Sequence, residues 1–317
     1  MLNILKRSGL LLWYVLVLII LIMALQYFLC PVYDFEQRTA FSGSRWYNPY
    51  ENNSGVWLKG NFHLHSHSWG GITNGDNQSD TIYQFYKEMG YDIVGFSDYQ
   101  KVNTYHAYAP DYIPVYEHGY GLFKTHQLAI GAERVEWRDY FFGQNRHHKQ
   151  NILNRLSSDS TFIVLAHPPW MGGYSQRDMI RLTGFDAIEI NKKKMKTLQL
   201  WDTALSSGKV VWIMGNDDSH DIHHPRKTGV RWTMIHANSP RKKHVISALK
   251  KGQMYAVTGH HGRNSIFLKN VKIENSTLKV SIDKPADKIR FIGNNGEILK
   301  IVMNSNIAEI DLHDDYS

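Results

Sequence analysis

The chain opens on an uninterrupted apolar run, "SGLLLWYVLVLIILIMALQYFLC", residues 8–30, which carries no charge. A bilayer core takes about 20 apolar residues as a helix, so the run predicts a membrane-spanning helix. Trp13 and Tyr27 fall toward its ends, where aromatic rings suit the interface. The apolar core of a cleaved signal is shorter, roughly 7–15 residues, and no A-x-A-like site follows here. An uncleaved anchor is therefore the expectation. Cys30 does not read as a lipoprotein cysteine, because "YFLC" lacks small residues before it. Lys6 and Arg7 precede the run, and Asp34 and Glu36 follow it. This bias puts residues 1–7 in the cytoplasm and the rest of the chain outside it, as a single-pass membrane protein. Residues 31–54, rich in Asn, Ser, Gly and Tyr, read as a stalk.

From residue 55 the pattern changes to short β-rich runs separated by helical ones. The β-rich runs are 55–65, 91–98, 127–133, 161–167, 185–190, 209–220 and 230–237. "SDTIYQFYKEMG" (79–90) has a Ser N-cap, apolar residues at helical spacing and a closing Gly90. Helices are also predicted near 151–158, 175–184, 195–208 and 239–252. Alternating strands and helices imply a mostly parallel sheet, and seven strands are enough to close a barrel. Residues 263–317 instead alternate apolar and polar positions, with turns at Glu274–Asn275 and Asn294–Asn295–Gly296. They predict a small antiparallel β module whose final strand is missing or short.

Candidate chemistry lies at the strand ends. Five of the seven runs finish on metal-ligand types: His63 and His65, Asp98, Glu133, His167, and Asp218 with His220. In parallel α/β barrels, function collects at the C-terminal ends of the strands. Residues i and i+2 of a strand share a face, so His63 converges with His65 while Leu64 packs away. The single cysteine excludes a multi-cysteine zinc site, leaving His, Asp and Glu as ligands. That donor set suits zinc, manganese or iron, and a carboxylate such as Glu133 can bridge two cations. Two or three such ions would acidify a shared water for displacement at phosphorus.

In order, these motifs resemble a PHP (polymerase and histidinol phosphatase) domain over about residues 56–262. "HLH" at 63–65 matches the first motif, and Asp76 in "TNGDNQ" stands near the second. "SDYQ" supplies Asp98 but has Tyr99 where the family has histidine. "GAE" gives Glu133, "AHPPW" gives His167, and "DDSH" gives Asp218 and His220. The family often adds a histidine between the Glu and His-Pro motifs, for which His147 and His148 are candidates beside a helix-capping role. The resemblance implies a distorted seven-stranded (β/α)7 barrel over residues 55–262, within an α/β protein that also carries the N-terminal helix and the C-terminal module. "ALKKGQMYAVTG" (248–259) is similar to the closing segment of a membrane- or export-linked branch that includes carbamate-ester hydrolases.

The function this implies is a metal-dependent phosphoesterase using a metal-bridged hydroxide at a di- or trinuclear site. His63, His65, Glu133 and Asp218 would hold one ion, and Glu133 with His167 a second. Asp98, Asp76 and His220 would hold a third or orient the others, with Asp98 and His220 also serving catalysis. The expected substrate is an anionic small molecule or a lipid-headgroup phosphoester. The net charge of +7 comes partly from clusters at 191–196, 240–244 and Lys250–Lys251, which read as solvated surface. Arg226, Lys227 or Lys101 could neutralise developing negative charge. Nucleic acid is permitted by the charge but not favoured, since aromatic and basic residues do not interleave. Two alternatives remain: metal-dependent cleavage of non-phosphate esters, amides or carbamates, or an inactive metal-binding membrane protein, since Tyr99 replaces a ligand.

Overall fold

The computed structural model describes residues 2–36, 39–42, 46–51, 54–190, 194–263 and 266–313, with side chains from residue 7 onward. Residues 191–193 of the basic cluster, the Lys6 side chain and residues 314–317 lie outside that description.

The apolar run forms α1 (Leu2–Phe28), and Arg7–Phe28 is long and apolar enough to cross a membrane. The expected stalk is not detached where it is described. The Tyr33 amide donates to His147 Nδ1 at 3.0 Å, Asn151 Nδ2 to the Tyr33 hydroxyl at 2.8 Å, and Arg181 to the Phe35 carbonyl at 3.0 Å.

The elements that follow are β1 (Val56–Asn61), α2 (Ser79–Glu88), β2 (Ile93–Val94), β3 (Val115–His118) and β4 (Gln127–Ile130). After them come α3 (Arg146–Leu156), β5 (Phe162–Leu165), α4 (Gln176–Arg181), β6 (Ala187–Ile190), α5 (Lys194–Ser206) and β7 (Trp212–Gly215). Then β8 (Arg231–Ala237), α6 (Lys242–Lys250) and β9 (Met254–Thr258) lead to β10 (Leu268–Glu274), β11 (Thr277–Ile292) and β12 (Ile298–Asp311).

The strands do not close into the expected (β/α)7 barrel. They form two mixed sheets, β2-β1-β8-β9 and β3-β4-β5-β6-β7, plus a separate β10-β11-β12 sheet. Among the described strands, only β1–β2, β5–β6 and β6–β7 pair in parallel. Two departures explain the difference. The stretch from β7 to β8 has no crossover helix, and β8 runs antiparallel to β1. Residues 99–126 contain a further strand, β3, outside the seven β-rich runs, and it makes an antiparallel hairpin with β4. The two sheets meet through isolated bridges, Leu64–Ser219 and Tyr99–Glu117, rather than continuous ladders. At a further meeting point the Thr233 hydroxyl donates to the Gly215 carbonyl at 2.9 Å. A side chain on Gly215 would lie 2.6 Å from the Trp232 carbonyl oxygen, so this approach requires glycine.

The core follows strand alternation. In β5, Phe162 and Val164 join the cluster between the sheets, with Leu58, Phe62, Leu128 and Ile235. Ile163 and Leu165 face the other way, packing with Ile152, Leu153, Met179 and Leu200 of the helices. Burial on both faces explains why β5 reads as a continuous apolar run. The C-terminal sheet begins with a two-residue hairpin in which Asn275 (φ 50°) and Ser276 (φ 60°) are both left-handed. Its next turn rests on α5, where the Asn295 amide donates to Ser206 Oγ and the Gly296 amide to Asp202 Oδ1, both at 2.8 Å.

Candidate metal centre

His63 and His65 leave the end of β1 with both rings buried, while His67 is exposed. On β3, Val115 faces the inter-sheet core and Tyr116 faces the helices. Alternation therefore turns Glu117 inward, and it is completely buried. Its Oε2 lies 3.1 Å from His63 Nε2 and 3.0 Å from His65 Nε2. Its Oε1 lies 2.6 Å from His126 Nδ1 and 3.0 Å from His167 Nε2. Asp218 Oδ1 completes the group, 3.4 Å from His63 Nε2, 3.6 Å from His65 Nε2 and 3.3 Å from His220 Nε2.

Two of these residues hold unusual backbone conformations. In β5, Val164 and the following Ala166 face the inter-sheet core, so strict alternation would send His167 outward. The left-handed φ of 31° at His167 breaks that alternation, and Asp218 is left-handed too, at 52°. For residues other than glycine such a conformation costs about 1–3 kcal/mol and persists where surrounding contacts fix it. Those contacts are visible. Neighbouring Asp217 is buried and accepts the amides of Gly229, Val230 and Arg231 at 2.8, 3.0 and 2.9 Å, and the Tyr86 hydroxyl at 2.8 Å. Burial raises the Asp217 pKa, against these hydrogen bonds.

Glu189, buried on β6, orders the cluster without joining its centre. Its Oε1 accepts from His63 Nδ1 at 2.8 Å and from Asn216 Nδ2 at 3.0 Å, and its Oε2 from the His167 amide at 3.0 Å. A proton held on His63 Nδ1 leaves the Nε2 lone pair facing Glu117 and Asp218. Burial opposes a second proton on His63, but Glu189, Glu117 and Asp218 outweigh it and hold the pKa well above the ordinary histidine value. Burial likewise opposes charge on Glu117 and Asp218, yet the facing histidines, His126 and His63 foremost for Glu117 and His63 and His220 for Asp218, keep both carboxyls well below their usual range. Burial lowers the pKa of His126, and burial and His65 lower that of His220.

The donors fit a cation. His63 Nε2, His65 Nε2, Glu117 Oε2 and Asp218 Oδ1 are buried and lack hydrogen-bond partners, although they lie close together. Nitrogen and oxygen ligands about 2.0–2.2 Å from one ion would lie roughly 3.0–3.5 Å from each other, as these do. Two groups could hold an ion by convergence of donor atoms: His63, Glu117 and His167, and His63, His65 and Asp218.

Several sequence expectations need correction. Glu133 is not at the cluster. The chain leaves β4 at Gly131 (φ 91°), and Glu133 is 82% exposed and paired with Lys242 Nζ at 2.8 Å. Asp98 is buried, but its carboxylate is taken up by the Ser66 amide, the Ser66 hydroxyl and Asn103 Nδ2, at 2.7, 2.8 and 2.9 Å. It holds the turn after His65 rather than entering either convergent group. Asp76 is exposed and belongs to neither convergent group, though its amide donates to the His220 carbonyl at 2.8 Å. His220 stacks on His65 (centroids 4.1 Å, 5° apart) and is partly open to solvent. Tyr99 also stacks on His65, at 4.4 Å. His118, at the end of β3 beside Glu117, is outside the cluster, bonded to Gln127 Oε1 and the Arg138 carbonyl. His148 caps α3 with Asn145, and His147 receives the Tyr33 amide. Glu117, His126 and Glu189 were not anticipated. The signal for the two glutamates was alternation, in "VYEH" and "AIEI".

No protein-family model and no curated protein matches the chain. Two solved structures are similar to it. A two-domain protein from Bacteroides vulgatus, containing a predicted PHP-like metal-dependent phosphoesterase, is 14% identical over 89% of each chain, with a TM-score of 0.45. PsfC from Pseudomonas syringae is 13% identical over 64% of this chain and 92% of its own, with a TM-score of 0.42. Neither likeness is close enough to carry fold or activity across.

Proposed function

We propose that the chain is a metal-dependent hydrolase of phosphoesters, anchored by its N-terminal helix. The observation that carries this reading is the convergence of buried, unpartnered donors around Glu117. His63, His65 and Asp218, with Glu117 Oε2, would hold one divalent cation. Glu117 Oε1, His167 and His126 would hold a second. When bound, such ions acidify water and draw charge from a phosphoryl oxygen.

The chain's own groups have separable tasks. Glu189 keeps the His63 proton on Nδ1. Asp98 fixes the turn that carries His65. His220, the ligand-type ring most open to solvent, would take up the proton of the attacking water. Lys101, whose Nζ bonds Ser68 Oγ at 3.0 Å, is held beside the turn after His65 and would face the developing negative charge. Water adds to phosphorus, one P–O ester bond breaks, and the leaving oxygen receives a proton.

Elemental analysis of the purified chain tests the cation reading. Hydrolysis of p-nitrophenyl phosphate against p-nitrophenyl acetate tests the ester class. Alanine at both His63 and His65 should remove most bound metal and activity. Unchanged metal content in that variant would refute the assignment.

A further inference from the structure

A chain of contacts links the membrane helix to the candidate centre. The Phe142 amide donates to the Tyr27 hydroxyl at 2.7 Å. The Phe142 side chain shares an apolar recess with Ile20, Met23, Ala24 and Phe28. Ile20 lies about 12 Å before Phe28 along a helix rising 1.5 Å per residue, so Phe142 is level with the apolar part of the span. From there, the Phe141 carbonyl accepts the Leu122 amide at 2.9 Å. The Tyr120 amide donates to Asp139 at 2.7 Å, and its hydroxyl to the Trp137 carbonyl at 3.3 Å. Trp137 meets Trp69 edge-on at 6.3 Å, and Trp69 Nε1 donates to the Tyr99 carbonyl at 2.8 Å. On the other side of the cluster, Trp170 packs edge-on against His167 at 5.1 Å.

Large apolar side chains stand exposed along this path: Trp69 44%, Leu122 51%, Phe123 50%, Trp137 59%, Phe142 57% and Trp170 39%. A grouped apolar rim of this kind marks a binding surface rather than scattered exposure. Tryptophan and phenylalanine suit the boundary between headgroups and acyl chains. The rim is continuous with the helix at one end and borders His167 and Tyr99 at the other. Lys124, next to Phe123, sets its ammonium 5.7 Å from the centre of the Tyr99 ring, where it can meet an anionic headgroup.

We propose that the mouth of the site is applied to the bilayer surface, and that the ester cleaved is the phosphoester of a membrane lipid headgroup. The choice of substrate rests on the phosphoesterase reading; the docking of the rim does not. Cleavage adds water at phosphorus and breaks one P–O bond, leaving either the lipid alcohol or the lipid phosphate in the membrane.

Two measurements test the proposal on the full chain, reconstituted in phosphatidylcholine vesicles containing phosphatidic acid or phosphatidylglycerol. A fluorophore on Phe123→Cys, in a Cys30→Ser background, should be quenched by nitroxide-bearing lipids. Absence of quenching overturns the docking, whatever the activity. Leu122→Ser with Phe123→Ser should lower turnover of the vesicle phospholipid about tenfold, the loss of one or two buried apolar side chains. Hydrolysis of p-nitrophenyl phosphate by that variant should stay within about twofold of wild type. Equal losses on both substrates, or no phospholipid turnover by a wild type active on p-nitrophenyl phosphate, would sink the lipid assignment. A wild type inactive on both phosphoesters removes the phosphoesterase reading, and the quenching result then decides the docking alone.

Discussion

The sharpest prediction sets two glutamates against each other. Motif order points to Glu133, whereas the structure points to Glu117. Glu117 has no exposed surface and touches four imidazoles at 2.6–3.1 Å, so its carboxylate would be shared by both proposed cations. Glu117→Gln keeps the shape and removes the charge. Losing the hydrogen-bond partner of a ligand typically weakens metal binding about 10–100-fold. A carboxylate that itself contacts the ions should exceed that range, which sets a floor of about 100-fold, or about 2.7 kcal/mol. Glu133→Gln loses only a solvent-exposed pairing with Lys242, and its metal affinity should not change. The assay is competition with a chromogenic chelator on metal-loaded protein, with total metal from elemental analysis and circular dichroism as the check on folding. A Glu117→Gln chain that folds and keeps full metal, or a Glu133→Gln chain that loses it, would refute the placement of the centre.

Three further outcomes follow from the same contacts. Glu189→Gln removes the acceptor that holds the His63 proton and should weaken metal binding by about 10–100-fold while leaving the convergent ligands in place; chelator competition reads this directly. Asp217→Asn puts an amide where three backbone N–H groups donate and should destabilise the fold by about 1–3 kcal/mol, seen as a lower unfolding temperature in detergent. Metal affinity should rise with pH through and above the ordinary histidine range, because the raised pKa of His63 makes protons compete with the cation at neutral pH. A pH-independent affinity would show that His63 is not a ligand.

Much of the fold could be read from the sequence. The seven β-rich runs each contain a strand, and the charge-free run 8–30 overlaps α1. Closure into a barrel was not readable, because it depends on strand direction. Nothing in "NDDSHDIHHPRKTG" (216–229) announces that β8 will run antiparallel to β1. The site was partly legible. His63, His65, His167 and Asp218 lie at strand ends and converge, while Glu133 lies beyond the left-handed Gly131, where the run no longer follows its strand. Glu117 was hidden for the opposite reason. A strand of four residues is too short to show its period inside a segment rich in Tyr, Pro and Gly, so nothing in the sequence separates its inward-facing carboxylate from loop polarity. His126 sits just before β4, and only the antiparallel pairing with β3 brings it to Glu117.

The left-handed backbones of His167 and Asp218 have a consequence for how the centre would be charged with metal. The hydrogen bond from the His167 amide to Glu189 and the network around Asp217 fix these residues, and none of those bonds needs an ion. The mould is therefore cast by the polypeptide and should keep its form when emptied by a chelator. An ion entering such a mould would not have to refold the chain, so occupancy by zinc, manganese or iron would follow their intrinsic affinities for this donor set and their availability around the protein.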